Sequence, residues 1–316
     1  MLPDPSLLRE PHDERILPNG RPTAGLRDEL RRIPSFRNAI SVASVYVQTL
    51  GIIWLAIRLN NPFAWVAAFL LMGRAHAQFA ALMHEAAHRL LFRNRRVNDW
   101  VGRWLLGFPS LTPIDLYRRG HMNHHRDEFG PNEPDIPLYR GYPISRDSLR
   151  RKLVRDATGQ TGVKLLKGLL RGVRSSKQAR MIVAVQLVLI AIGFAVGHPW
   201  IWLLLWLLPE LTVWRVINRL RSIAEPGGLE RSSDRRQTTH SIRQSPFSRF
   251  ALVPYRIGWH LAHHVDSGIP MNNLPRFHRA LVESGYVAEG LEYPSYFALW
   301  RKLGSGPKRE RVDAAR

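Results

Sequence analysis

The sequence predicts an all-α integral membrane protein, with four transmembrane helices in two hairpins and a helical cytosolic cap that carries clustered histidines. Three observations predict it. Apolar residues gather in four blocks, each near the ~20 residues that a bilayer core requires. Two very short linkers join the blocks in pairs. The basic residues fall almost wholly on the side opposite those linkers.

The first 38 residues interleave Arg9, Arg15, Arg21, Arg27, Arg31, Arg32 and Arg37 with acids and prolines. No apolar run begins before residue 39, so this stretch reads as a cytosolic arm of marginal order, not a cleaved signal. The predicted spans are 39–59, 62–82, 181–197 and 199–217. Arg74 and His76 weaken the second, because ionisable groups inside a membrane need a bundle interior or polar cavity. Asn60-Asn61 joins spans one and two, and His198 joins three and four. Turns this short cannot hold a domain. Residues 1–38, 83–180 and 218–316 therefore share one side, and their Arg and Lys make it cytosolic. The membrane domain is expected over 39–303, with a disordered tail at 304–316.

Two stretches look membrane-associated without spanning. Residues 104–117, WLLGFPSLTPIDLY, are apolar but short, and Pro109 and Pro113 interrupt them; this stretch could dip into the interface. Residues 162–174 set Val163, Leu166, Leu170 and Val173 on one helical face, with Lys164, Lys167, Arg171 and Arg174 off it. That pattern suits a helix lying among headgroups, or equally one packed on the cap.

Net charge is +21 and the pI is near 11.3. Such values suit nucleic acid or positive-inside flanks and anionic lipid. The charge map favours membrane lipids and no nucleic acid, since no aromatic-interleaved basic repeat occurs. The absence of cysteine excludes disulfides and cysteine-ligated iron–sulfur clusters. Any metal must sit on His, Asp or Glu.

Eight of the 13 histidines fall in three clusters. These are His84 and His88, then His121, His124 and His125, then His260, His263 and His264. Spacings of i, i+3 and i+4 put each cluster on one helical face. All three lie on the cytosolic side, where helices leaving spans two and four can bring them together. One tetrahedral metal takes four ligands. Eight imidazoles suit two, and imidazole alone admits Zn, Cu, Fe or Ni. His84-Glu85-Ala86-Ala87-His88 also matches H-E-x-x-H, the zinc metalloprotease signature with Glu85 as base. A protease would leave the other two clusters unexplained.

The segments HEAAHRLLF, LYRRGHMNHHRDEFGPNEPDI, RSIAEPGGL and GWHLAHHVDSGIPMNNLPRFHRAL resemble the membrane fatty acid desaturase family, from about residue 62 to 285. The resemblance implies two Fe ions as a di-iron centre, O2 as co-substrate, and a fatty acyl lipid or acyl thioester as substrate. It implies electrons from a separate ferredoxin- or cytochrome-like donor. No flavin fingerprint or haem module is seen in the chain. A hydroxylase or ketolase of a carotenoid or sphingolipid shares the scaffold and stays open. So does a non-catalytic protein with structural metals.

The sequence departs from the family after the fourth block. A ninth histidine commonly follows Ile-Ala-Glu there; here Ile223-Ala224-Glu225 precedes Pro226. His240 is the candidate replacement ligand. Glu133-Pro134-Asp135 stands where Asp-Pro-Asp is common. Asp135, Asp266 and Asn272 are candidates for accepting the second N–H of a ligating imidazole. His76 could line the site or an acyl channel, though a bundle histidine is the commoner case. Arg118, beside Arg119, could hold a carboxylate or phosphate, though solvated basic surface is the commoner one. His12 and His198 read as surface residues.

Overall fold

The computed structural model describes residues 1–307. It is mostly helical. Strand is confined, among the described residues, to a parallel pair of Ser241–Ile242 with Glu292–Tyr293 and an isolated bridge between Ile16 and Pro22. Three helical stretches are long and apolar enough to cross a membrane: Ala24–Leu59, whose unbroken part is Ser35–Leu59, then Pro62–Ala87 and Lys177–Ala195. The first two form a hairpin whose turn is written locally. Asn60 takes the left-handed conformation at φ 41°, and the Asn61 side chain accepts from Ala64 N at 2.9 Å ahead of Pro62. Asparagine tolerates that conformation, and proline at a first helical position forgoes a hydrogen bond it could not make.

The outer helices turn Val47, Leu50 and Trp54, and Leu187, Ile192 and Phe194, away from the protein. Such apolar surface suits lipid rather than water. Pro62–Ala87 is the central helix and largely buried. Its mid-span Arg74 reaches Gln48 and Gln78, each at 2.8 Å, and the Phe250 carbonyl at 2.9 Å. These acceptors on Nε and Nη1 are what make a half-buried guanidinium tolerable there. Gly73 lets the helix Val213–Ala224 approach, since a Cβ there would lie 2.3 Å from Val213.

The fourth apolar block departs from the expected single span. It folds as wide turns over Trp202–Leu207, a short helix Leu208–Leu211, a break at Thr212 (φ −123°, ψ −82°), and then Val213–Ala224. Pro209 brings no N–H, and Thr212 Oγ1 caps the Leu208 carbonyl. Both loosen the helical ladder there.

Residues 104–117 are packed inside rather than dipping outward. Leu106, Phe108 and Ile114 are fully buried. Gln186 donates to the Phe108 and Pro109 carbonyls and Trp206 Nε1 to Pro109 O, so this irregular backbone keeps its partners. The N-terminal arm is also better ordered than its composition suggests. Ile16 and Leu30 are buried, His12 N donates to Ser284 O, and Arg31 grips Asp266 at 2.7 Å. Its scattered apolar residues find a ready surface on Leu274–Glu283, which composition does not reveal. The helix Gln160–Gly172 seats Gly162 against Leu211 and leaves Val163, Leu165 and Leu170 exposed. Of the expected tail, Gly306 N donates to Ile144 O; residues 308–316 lie outside the described residues.

Candidate metal centre

Three elements carry the clustered histidines. His84 lies in the last turn of the central helix, and His88 caps it. His121, His124 and His125 lie in Ile114–Arg126, and the third cluster lies in the short helix His260–Val265. Arg118 fixes the first two against each other. It donates to the carbonyls of Ala86 and Ala87 and to Asp99. These are carbonyls that a helix C-terminus leaves without partners. Arg118, read from the sequence as solvated basic surface or a holder of an anion, thus serves as a helix cap, with its guanidinium engaged by two carbonyls and Asp99.

The Nε2 atoms converge. His84 and His263 are 3.1 Å apart, His263 and His125 3.0 Å, His125 and His121 3.1 Å, and His121 and His88 2.9 Å. His264 and His260 meet at 2.9 Å. Ligand atoms fall into one group of His84, His88, His121 and His263 and another of His124, His260 and His264. His125 stands between, its ring 4.5 Å from that of His264.

Back-side contacts indicate which nitrogens are free to bind. His124 Nδ1 meets both Glu133 oxygens at 2.9 Å, His264 Nδ1 lies 3.3 Å from Glu128, and His84 Nδ1 lies 3.2 Å from the Tyr117 hydroxyl. Where Nδ1 carries the proton, Nε2 presents a lone pair. Burial, then like charge from neighbouring rings, pushes His121, His125, His260 and His263 well below the usual imidazole range. His88 is pushed down to about 3 by the same burial. His124 rises, because Glu133 outweighs its burial. Neutral imidazoles whose lone pairs face one another repel unless a cation sits between them. Nitrogens ~2.1 Å from a metal stand about 3.0 Å apart at right angles and about 3.4 Å apart in a tetrahedron. The observed spacings fit that requirement, so the cluster can hold metal.

A cavity of about 140 Å³ opens on the site, lined by His84, His121, His124 and His260 together with Tyr117, Asp135, Arg221 and Glu225. Asp135 lies near His124 and Glu133, but the carboxylate on His124 Nδ1 is that of Glu133. The other candidates are elsewhere. His240 Nε2 donates to Gly227 O at 2.9 Å, and its ring packs on Tyr293, not on an imidazole. Asp266 is taken by Arg31, and Asn272 by Asn38. His76 bonds the Trp206 carbonyl at 3.0 Å and packs edge-on to that ring, so it is a bundle histidine. The H-E-x-x-H match also dissolves, since buried Glu85 accepts from Met271 N. Sequence reasoning missed Glu128 and Tyr117 as back-side partners. Nothing in local spacing marks Tyr117; Glu128 follows the second cluster closely, but only folding turns it toward His264.

The fatty acid desaturase family model matches residues 60–297, three quarters of the chain and every clustered histidine. The chain belongs to the fatty acid desaturase family. Over 82 residues it is 34% identical to the sn-1 oleoyl-lipid 12-desaturase of Arthrospira platensis, covering 26% of this chain and 23% of that protein. Over 250 residues it is 24% identical to the dihydrorhizobitoxine desaturase of Bradyrhizobium elkanii, covering 72% of this chain and 68% of that one. The first match therefore spans under a quarter of its relative. Family members generally use iron, and the histidine cluster is the place this chain offers for it.

Proposed function

We propose that this chain is an O2-dependent desaturase of a fatty acyl chain, with two irons held by His84, His88, His121, His124, His125, His260, His263 and His264. The convergence of neutral Nε2 lone pairs into two groups carries this reading. When bound, the metal pair supplies an oxidant able to take hydrogen from an unactivated methylene. The balance needs one O2, two hydrogens from the chain, and two electrons and two protons from a donor, giving an alkene and two waters. Glu133 and Tyr117 hold His124 and His84 in the ligating tautomer, and Glu128 sets a negative charge behind His264. Burial keeps most of them neutral, and the narrow cavity limits water at the reacting position.

In this reading the fourth apolar block completes a second hairpin, both termini and the site are cytosolic, and residues 39–303 form the membrane domain. Reporter fusions near residues 20 and 300 should both read cytosolic, and an external signal from either contradicts it. Arg150, Arg151 and Arg155 line an open groove on the same face. It suits an acidic ferredoxin- or cytochrome-like donor, so donor-limited turnover should fall as salt rises. The deciding test is iron content with product mass spectrometry in a host with a competent electron chain. Loss of two mass units from an acyl chain is expected. Gain of sixteen indicates hydroxylation, and bound metal without O2 consumption indicates a structural role.

A further inference from the structure

The two histidine groups are unequal. One gathers four nitrogens, the other three, and Pro226 has no side-chain donor to supply a fourth. His240 is withdrawn from the position by its bond to Gly227 and its packing on Tyr293.

Glu225 stands beside the gap, against His260; it falls outside the set of ligand atoms that lie within 4.8 Å of one another on His124, His260 and His264, so its side chain must turn toward them to close the position. Its Oε2 lies 3.3 Å from His260 Nε2. That is the nitrogen which meets His264 Nε2 at 2.9 Å, so it faces the metal position. The contrast with the other carboxylates is decisive. Glu133 and Glu128 approach His124 and His264 at Nδ1, the far side of each ring, where an outer partner belongs. Glu225 approaches on the near side, whereas His260 Nδ1, like His264 Nδ1, has no hydrogen-bond partner among the described residues. Arg221 Nε donates to the other oxygen, Oε1, at 2.7 Å, which fixes the carboxylate and leaves Oε2 toward His260. Glu225 also lines the cavity that reaches the site.

We propose that Glu225 is a metal ligand, its carboxylate completing the His124, His260 and His264 position. The chain would then hold one position of nitrogen ligands only and one of mixed nitrogen and oxygen. The inference rests on the metal pair proposed above. A carboxylate is a harder donor than imidazole and brings a negative charge, so the second position should favour the more oxidised ion.

The test is bound iron per chain, with ⁵⁷Fe Mössbauer spectra, on purified protein in detergent after anaerobic loading with ferrous iron. Two irons in distinct environments are expected for the unaltered chain. Glu225→Ala should retain about one iron and lose one quadrupole doublet. Glu225→Gln, which keeps an acceptor for Arg221, should bind the second iron weakly. Glu225→His should hold two, with one doublet shifted. Two irons with unaltered doublets in Glu225→Ala and Glu225→Gln overturn the proposal, and if the alanine variant does not fold, the glutamine and histidine variants decide alone. Fewer than two irons in the unaltered chain instead overturns the metal pair itself.

Discussion

The two halves of the histidine cluster differ in what stands beside them. The half built on the central helix, His84, His88, His121 and His263, is backed by a phenol, Tyr117. The half built on His124, His260 and His264 has carboxylates beside all three rings: Glu133, Glu225 and Glu128. A phenol steers an imidazole with little charge, whereas a carboxylate also raises its basicity as a ligand. One face of the site is thus set by packing, the other by charge. Arg235, on Glu128 at 2.9 Å, and Arg221, on Glu225, spread that charge into a network.

The comparison can be broken at several points. The largest effect should come from removing a nitrogen in either half. His84→Ala and His264→Ala should each abolish turnover, a loss beyond about 100-fold, and each should lower bound iron. Their combination should cost little more than either alone, as expected for groups acting as a unit. Full iron and activity in either variant would falsify the shared centre.

Next comes Glu133→Gln. Losing the charge behind His124 should weaken iron binding by about 10- to 100-fold at the second position while sparing the first. Competitive chelation read by metal analysis would show it, and equal loss from both positions would erase the distinction between the halves. Tyr117→Phe should do less, since one neutral hydrogen bond is worth roughly 0.5–1.5 kcal/mol. A chelation midpoint shifted by less than about tenfold is the expected result, and a loss as large as that of Glu133→Gln would show that the phenol matters as much as a carboxylate.

The smallest effect on metal should come from His240→Ala. Its buried bond to Gly227 O should cost stability of about 1 kcal/mol, read as a lowered thermal midpoint, with bound iron unchanged. Loss of one iron would return His240 to the ligand set.

A second comparison, between the central helix and the fourth apolar block, shows how far hydropathy carries. Both are apolar enough to read as spans. The central helix keeps one ladder because its ionisable residues find partners, with Arg74 on Gln48 and Gln78 and His76 on Trp206 O. The other breaks at Thr212, where local hydrogen bonding competes with the helix. A window average cannot see that competition.

By itself, the sequence determined that the fold is helical with long apolar helices, and which eight histidines would gather. Apolar block length, the Asn60-Asn61 turn and the i, i+3, i+4 spacing are local quantities, and local geometry translates them directly. Only the tertiary structure decided which side of each imidazole is used, because the partners of His124, His264 and His260 arrive from Glu133, Glu128 and Glu225 by routes that spacing does not encode. It also decided that Arg118, Asp266 and Asn272 are consumed by backbone and by the N-terminal segment. A polar side chain binds whichever partner folding delivers first in reach and geometry, and residue type alone does not name it. The same holds at Pro226: the sequence marked a missing nitrogen, and the fold set an oxygen beside the gap.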